Sequence, residues 1–263
     1  MSSILSKWRQ RHREVRRFRE TFTPMDQFMA EDVFIVGYPK SGSTWFQDLA
    51  AAVVFGINPA FMPPSVALDL VPELRGKYAY YRRHMTPSFF KSHEFPRPDH
   101  QRVVYLIRDG RDVMVSYYHY LKAFGGPVDF MDMVQKGKSG KYTVFGKWHE
   151  HVNAWLANPH HAQMLMIKYE DLKRDTATEL ARFCTFAGLE RDPSFLDMVA
   201  REAVFEKMQQ KEIRLGRGDP EWPKDKLFRR RGVAGSYKDE MPADILQAFM
   251  AQAGDTLKKC GYE

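Results

Sequence analysis

The fold class is decided by residues 33–45, which read VFIVGYPKSGSTW. The first four of these residues form an apolar run rich in β-branched side chains, which is typical of a buried parallel strand. A short turn of small and polar residues follows, and a helical pattern over 44–55 begins directly after it. A strand, a tight turn and a helix in immediate succession predict an α/β fold built on a parallel sheet.

The rest of the chain repeats this alternation. Apolar runs at 103–107 and 164–167 predict two more parallel strands, and a fourth strand is expected near 89–91. Helical patterns accompany these runs at 111–121, 143–156 and 177–187. The whole pattern predicts three layers, in which a central parallel sheet carries helices on both faces. Since 263 residues fit one such unit, we expect a single domain over 1–263.

The composition predicts a globular protein with an anionic partner. The net charge is +7 and the pI is about 9.3. Nucleic acid, an acidic membrane and a small polyanion such as a nucleotide all fit this charge, and composition alone does not choose among them. The cysteines, Cys184 and Cys260, show neither zinc-ligand spacing nor a disulfide framework, so we expect a cytoplasmic location.

The N-terminal segment 1–30 is predicted to be a basic extension. Its stretch 7–19 reads KWRQRHREVRRFR, which fits a solvated surface helix, with docking on acidic lipid or nucleic acid as the alternative. The segment holds no apolar run of the signal-peptide kind, and no stretch of about 18 apolar residues occurs in the chain. We therefore expect neither export nor stable membrane insertion.

The turn after the first predicted strand is a candidate phosphate site. Backbone N–H groups and the positive end of a helix dipole meet there, and they bind phosphate well. An ordinary turn with Thr44 as the helix N-cap would explain Thr44 and Gly42, but it would not explain a lysine, Lys40, among several hydroxyl residues. The order G-x-x-x-x-G-K-[ST] is missing, which makes an ordinary ATP or GTP site less favoured.

Two further segments add anion-binding side chains. Arg108 ends the second clear strand, and Ser116 lies two helical turns later, so both can converge on one anion; a surface Arg108–Asp112 pair is the alternative. Near the C-terminus, residues 228–238 read FRRRGVAGSYK and combine three arginines with two glycines. This composition fits a flexible anion clamp, and a solvated basic loop is the alternative.

A candidate base lies beside the fourth predicted strand. His93 follows Lys91 by two residues, which places both side chains on one face of a strand. Histidine is the side chain that most easily takes a hydroxyl proton near neutral pH, although a lone histidine is more often structural. We expect no metal, because no tight cluster of His, Cys, Asp or Glu stands at ligand spacing.

These segments together resemble the cytosolic-type sulfotransferases, which use 3′-phosphoadenosine 5′-phosphosulfate (PAPS). The octad YPKSGSTW at 38–45 is similar to that family's Y-P-K-S-G-T-T-W and differs only at Ser43. Residues 108–118 are similar to its R-x-x-x-D-x-x-x-S-Y-Y signature, 91–96 to its K-T-H-x-P segment, and 230–238 to its R-K-G-x-x-G-x-W-K element. The resemblance implies a P-loop NTPase-like α/β fold and PAPS as co-substrate, with 3′-phosphoadenosine 5′-phosphate (PAP) as product.

The resemblance also implies roles for individual residues. The catalytic set would comprise His93 as base, Lys40 on the leaving oxygen, Lys91 on the sulfuryl oxygens, and Ser116. The donor nucleotide would be held by Lys40, Ser41, Gly42, Ser43, Thr44, Trp45, Arg108, Ser116, Tyr169, Phe205, Arg230, Arg231 and Gly232. Among these, Trp45, Tyr169 and Phe205 would surround the adenine, because aromatic faces stack on bases.

The sequence departs from the family pattern at several points. Arg231 stands for lysine, Tyr237 for tryptophan, and Ala203 for a hydroxyl residue that would contact adenine. A register in which Arg229 takes the arginine position stays open. The family's dimerisation motif, with its K-x-x-x-T-V core, is not found after Lys238, so the oligomeric state is not predicted.

The expected acceptor is a small molecule, a phenol or an alcohol, with an amine less favoured and a carbohydrate or glycolipid as a further alternative. Aromatic lining of its pocket is expected from Phe61, Met62, Tyr78, Tyr80, Tyr81, Phe89, Phe124 and Phe145. The long basic stretch 209–237 is expected to be a mobile lid loop. A P-loop kinase and a nucleic-acid-binding protein are the alternatives from other classes, and the missing Walker lysine and the placement of the basic motifs at strand ends count against them. We therefore expect no nucleic-acid partner.

Overall fold

The computed structural model describes residues 28–74, 83, 85–139, 142–143, 145–217 and 222–262. The basic N-terminal extension falls almost wholly outside these ranges. None of the described helices is both long enough and apolar enough to cross a bilayer.

A four-stranded parallel sheet forms the centre of the fold. Its strands are β1 (Val33–Gly37), β2 (Phe89–Ser92), β3 (Arg102–Ile107) and β6 (Gln163–Lys168), in the spatial order β2-β1-β3-β6. The predicted α/β class and all four predicted strands are therefore confirmed. Because β1 has a neighbour on each side, the chain leaves it in one direction toward β2 and returns on the other side as β3. In open α/β sheets, ligands bind beyond the carboxyl ends of the strands at such a switch point.

Helices cover both faces of this sheet. They are α1 (Ser43–Phe55), α2 (Pro64–Leu70), α3 (Gly110–Ala123), α4 (Phe130–Lys136), α5 (Trp148–Ala157), α6 (Tyr169–Arg174), α7 (Thr176–Ala187), α8 (Pro193–Glu202), α9 (Phe205–Leu215), α10 (Tyr237–Glu240) and α11 (Ala243–Lys259). Alternate residues of β1 enter opposite cores: Val33 and Ile35 pack with α1, α7 and α8, while Phe34 and Val36 pack with α3, α5 and α11. This two-sided burial explains why β1 is apolar at every position.

Two sequence predictions need correction in their bounds. The helix expected at 143–156 begins only at Trp148, because Lys138–Ser139 and Tyr142–Thr143 pair instead as a short antiparallel ladder, β4 and β5. The loop expected at 209–237 begins later, since Gln209 to Leu215 complete α9, whose apolar residues lie on one face. That the remainder of this stretch is a mobile lid stays a prediction.

His100 is a buried polar residue in the core on the α5 side of the sheet. Its ring lies 4.3 Å from the ring of Phe34 and is stacked on Trp155 at 5.9 Å. Neither ring nitrogen has a hydrogen-bond partner among the described residues. Burial lowers the pKa of His100 to about 4, so the ring is neutral in the folded protein at pH 7.

Replacing His100 by phenylalanine should make the protein less sensitive to acid. An unfolded histidine has a pKa of about 6.5, so between that pH and about 4 only the unfolded state binds the proton, and stability falls as the pH falls. His100→Phe should remove up to about 1.4 kcal/mol of this loss per pH unit. Urea unfolding at pH 7, 6 and 5 measures the slope. The exposed His160 provides the control His160→Asn, and equal slopes in all three proteins would contradict the assignment.

Candidate active site

A cavity of about 420 Å³ opens at the carboxyl ends of β1, β2 and β3. With one exception, every residue that the sequence nominated for catalysis or donor binding lines it: Lys40, Gly42, Ser43, Thr44, Trp45, Lys91, His93, Arg108, Ser116, Tyr169, Phe205, Arg230, Arg231 and Gly232. The exception is Ser41, which is buried in the turn beside the cavity. The sheet topology thus brings together four segments that are far apart in the sequence.

The turn between β1 and α1 has the geometry of an anion cradle. Lys40 and Gly42 adopt left-handed backbone conformations, with φ of 74° and 95°. The first backbone hydrogen bond of α1 runs from Phe46 N to Gly42 O, so the earlier N–H groups of the helix stand at the cavity wall without an intrahelical acceptor. Thr44 is not the N-cap: that position belongs to Gly42, and no side chain caps the helix.

Two details of this turn suit a bound anion. The hydroxyl of Ser41 is buried and has no hydrogen-bond partner within the described ranges. A side chain at Gly42 would meet the ring of Tyr169 at 2.8 Å, so the position has no room for a Cβ atom in addition to its left-handed φ. Both details keep the backbone and the hydroxyl available to a ligand rather than to the protein.

Lys40 stands in a surplus of positive charge. Its ammonium lies 3.7 Å from the ring centroid of Phe228 and 4.5 Å from that of Tyr120. Burial, followed by the charges of Arg217, Lys91 and Arg108, lowers the pKa of Lys40 well below its usual value. Because several cations lie close to Lys40, an anion that enters the cavity is strongly attracted.

The geometry of His93 fits a general base. Its Nδ1 lies 2.6 Å from Gly37 O, and since a carbonyl only accepts, Nδ1 carries the proton and Nε2 keeps a lone pair. Burial and then Lys91 lower the pKa of His93 to about 4, so the ring is neutral at pH 7. His151 helps to fix this segment, because its Nε2 lies 3.2 Å from the carbonyl oxygens of both His93 and Glu94.

Lys91 is held by a carboxylate that the sequence analysis did not single out. Its Nζ lies 2.8 Å from Oε2 of Glu73, which also lines the cavity. Glu73 and Lys91 form an isolated parallel bridge at the outer edge of β2. This bridge was not visible in the sequence because residues 71–74 show no strand pattern of their own.

Arg108 and Ser116 both reach the cavity, as expected. Arg108 donates to Val233 O at 3.1 Å and lies 4.4 Å from the ring of Tyr169. The alternative Arg108–Asp112 pair is also present at 3.6 Å, but it is buried rather than on the surface. Asp112 mainly accepts hydrogen bonds from the backbone N–H groups of Gly235 and Tyr237, which fixes the C-terminal segment against α3.

The three consecutive arginines divide into two groups. Arg229 is buried between two carboxylates, at 2.6 Å from Asp48 and 3.2 Å from Glu212. Arg230 and Arg231 instead share the carboxylate of Glu240, at 2.6 and 2.8 Å. Although partial burial opposes ionisation, the hydrogen bonds from Arg230 and Arg231 hold the pKa of Glu240 at about 2. All three arginines line the cavity, and the side chains of Arg230 and Arg231, at 36% and 40% exposure, are more accessible than that of Arg229 at 10%.

Aromatic side chains surround the far end of the cavity. Trp45 and Tyr169 meet edge to face at 5.9 Å, and the indole of Trp45 donates to Ala203 O at 2.8 Å. A side chain at Gly232 would come within 2.3 Å of the ring of Phe205, so a glycine is needed there. Ala203 thus contributes a backbone contact that positions Trp45, where the family pattern has a side-chain hydroxyl.

Of the five described residues that were predicted to line the acceptor pocket, one lines the cavity and four do not. Phe145 lines the cavity, but Met62 and Phe89 are in the core, and Phe61 and Phe124 lie outside the lining. Tyr78, Tyr80 and Tyr81 fall outside the described residues. The lining residues that the sequence analysis missed include Glu73, Tyr117, Tyr120, Lys173, Thr176 and Arg217. The signal for Tyr117 and Tyr120 was available, since they follow Ser116 on the same helix and Tyr120 is one helical turn from it.

Comparison with known proteins identifies the family. A family model described as a sulfotransferase domain matches residues 30–261, and the chain therefore belongs to the sulfotransferase domain family. Sulfotransferase 1E1 of Mus musculus is 25% identical over 93% of this chain and 90% of its own length. The 3-alpha-hydroxysteroid sulfotransferase of Cavia porcellus is 27% identical over 89% and 85%.

The fold is shared with solved structures. Retinol dehydratase in complex with androsterone and the inactive cofactor PAP matches with a TM-score of 0.70 and 22% identity, over 88% of this chain and 82% of that chain. Family and fold together set aside the kinase and nucleic-acid alternatives. The protein is a PAPS-dependent sulfotransferase that transfers a sulfuryl group to a small acceptor.

Loss of the Arg229 charge should be far more damaging than loss of an exposed arginine. Arg229→Met leaves Asp48 and Glu212 buried without their cation, and breaking a buried pair costs about 3–5 kcal/mol. Urea unfolding measures the loss. The control is Arg174→Met, since Arg174 pairs with Asp171 while its side chain is 74% exposed, and surface pairs contribute little. Similar stabilities for the two variants would contradict the proposed difference.

Proposed function

We propose that the acceptor is a small phenol or alcohol, and that His93 removes its proton while the β1–α1 turn holds the phosphosulfate of the donor. The observation that carries this proposal is the position of His93. Its proton is fixed on Nδ1 by Gly37 O, which leaves a lone pair on Nε2, and His93 lines the same cavity as the cation-rich turn. A base and an anion cradle in one cavity are the two parts that sulfuryl transfer to a hydroxyl requires.

The proposed reaction is an in-line displacement at sulfur. PAPS supplies the sulfuryl group, and PAP leaves with the bridging oxygen. As the acceptor oxygen forms its bond to sulfur, His93 Nε2 takes the acceptor proton. Lys40 neutralises the negative charge that develops on the leaving oxygen, and Lys91 holds the sulfuryl oxygens, so electrostatic stabilisation and alignment provide most of the catalysis.

The described residues fit the donor in three places. The buried Ser41 hydroxyl and the first N–H groups of α1, from Ser43 to Trp45, suit the 5′-phosphosulfate. Arg108, which follows β3, and Ser116, on α3, line the cavity and would hold the 3′-phosphate. Arg230, Arg231 and Gly232 would contact it from the C-terminal segment. Trp45, Tyr169 and Phe205 suit the adenine.

A cytoplasmic location belongs to the same proposal. It is supported by two buried free cysteines, Cys184 and Cys260, and by a cytosolic sulfotransferase 1 of Danio rerio that is 29% identical over 86% of this chain and 83% of its own. The relatives include a hydroxysteroid sulfotransferase, which is compatible with an alcohol acceptor here.

Recognition of the donor should depend on its 3′-phosphate and on Arg108. Calorimetric titration without added metal should show tight binding of PAP and much weaker binding of 5′-AMP and ATP. Arg108→Ala should weaken PAP binding about 10- to 100-fold, because a hydrogen bond to a charged group is worth about 1.5–3 kcal/mol. The control is Arg102→Ala, since Arg102 lies at the other end of the same strand and its guanidinium contacts Glu31 and Phe186. Equal binding of PAP and 5′-AMP would refute the donor assignment.

Removal of the proposed base should affect turnover and leave the donor site intact. His93→Ala should lower kcat by about 10²- to 10⁴-fold, the usual contribution of a general base. PAP affinity, measured by calorimetry, should change little and serves as proof of folding. His149→Ala is the control, because His149 is half-buried on α5 and does not line the cavity. Full turnover in folded His93→Ala would exclude the base assignment.

A further inference from the structure

Glu73 occupies a fixed position beside the reacting groups. Its segment adds a short strand-like pairing to the open edge of β2: Leu74 N donates to Lys91 O at 3.0 Å, and Lys91 N donates to Pro72 O at 2.9 Å. These two backbone bonds set Glu73 directly opposite Lys91. Since His93 follows Lys91 by two residues, the base and the Glu73 carboxylate line the same end of the cavity.

Only one oxygen of the Glu73 carboxylate is hydrogen-bonded within the described residues. Its Oε2 lies 2.8 Å from Lys91 Nζ, and the described residues engage Oε1 in no further hydrogen bond. The Lys91 side chain is 7% exposed and that of Glu73 is 38% exposed. The carboxylate is therefore the more exposed partner, and both residues line the cavity.

The charge of Glu73 persists at any working pH. Although burial opposes ionisation, Lys91 and His93 hold the pKa of Glu73 at about 2. Other carboxylates near the cavity are already engaged: Asp48 and Glu212 with Arg229, and Glu240 with Arg230 and Arg231. Glu206 also lines the cavity, but it follows Phe205 at the nucleotide end.

An acceptor bound next to His93 must cover this carboxylate. A molecule that is apolar apart from its reacting hydroxyl would exclude water from Oε1 without replacing the lost hydrogen bonds. A molecule with a second donor group would replace them. Sites that contain a buried hydrogen-bonding group reject analogues that lack its partner, by up to about 10⁴- to 10⁵-fold.

We propose that Glu73 selects acceptors that carry a second hydrogen-bond donor, a hydroxyl or an ammonium, close to the hydroxyl that is sulfated. This inference rests on the proposed function, in which His93 activates the acceptor hydroxyl. Glu73 is then a specificity-determining residue: it contacts the acceptor without taking part in the bond changes. Because Lys91 already satisfies one carboxylate oxygen, we expect a preference in kcat/KM of about tenfold or more, below the limit of about 10⁴- to 10⁵-fold.

Three matched acceptors test the proposal. They are 2-ethylphenol, 2-(hydroxymethyl)phenol and 2-(aminomethyl)phenol, which differ only in whether the ortho arm ends in a methyl, a hydroxyl or an ammonium group. The measurement is kcat/KM for formation of each phenyl sulfate at saturating PAPS. Wild-type enzyme should prefer the hydroxyl or the ammonium arm over the methyl arm by about tenfold or more.

Two substitutions at Glu73 separate specificity from general damage. Glu73→Leu should bring the ratios of kcat/KM between the donor-bearing arms and the methyl arm close to one. A uniform loss of activity caused by freeing Lys91 cancels in these ratios. Glu73→Gln keeps a hydrogen-bond acceptor but removes the charge, so it should reduce the preference for the ammonium arm more than that for the hydroxyl arm. Glu206→Gln is the matched control and should leave all ratios as in wild type.

The possible failures are distinguishable. If PAP does not bind and no phenol is sulfated, the proposed function itself is wrong. If PAP binds and wild type uses 2-ethylphenol as well as the other two acceptors, the function stands and the role of Glu73 is refuted. Unchanged ratios in Glu73→Leu, with PAP binding as proof of folding, would refute it equally.

Discussion

Positive charge is concentrated at the carboxyl edge of the parallel sheet, and this concentration governs the rest of the structure. Lys40 follows β1, Lys91 lies in β2 and Arg108 follows β3, so three adjacent strands bring three cations to one cavity. Glu73 pairs with Lys91, whereas the nearby Asp112 mainly accepts hydrogen bonds from backbone N–H groups. Burial and the neighbouring cations lower the pKa of Lys40, which means that keeping its ammonium charged costs free energy. A polyanionic donor removes that cost, which is why the fold and the chemistry suit each other.

The C-terminal segment completes the cavity through two buried polar anchors. Asp112 accepts hydrogen bonds from the backbone N–H groups of Gly235 and Tyr237. Arg229 forms ion pairs with Asp48 of α1 and Glu212 of α9. A buried ion pair adds little net stability compared with apolar packing. Its value here is positional: it fixes Arg229, and the next two arginines, which also line the cavity, follow directly in the chain. The same α1 helix that begins at the phosphate turn therefore also sets the distance to the arginines that close over it.

The fold and much of the site could be predicted because their signals are local. Strands buried on both faces are apolar at nearly every position, and the turn at 38–45 carries its chemistry in consecutive residues. The missing parts are contacts between distant segments. Asp48 and Arg229 are 181 residues apart, and nothing near either residue indicates the other. Glu73 lacks a strand pattern because it pairs through two backbone bonds at a sheet edge rather than through a buried face.

The low pKa of His93 follows first from burial and then from the same surplus of positive charge. After burial, Lys91 is the largest cause that lowers it, with Lys40 acting in the same sense, while Glu73 and the bond to Gly37 O act against them. A base with a pKa of about 4 is weak toward a phenol, whose own pKa is about 10. In the proposed mechanism, the negative charges of a bound donor would offset both lysines and would thereby raise the basicity of His93. The proposed base would then be strongest when the donor, and with it the sulfuryl group, is bound.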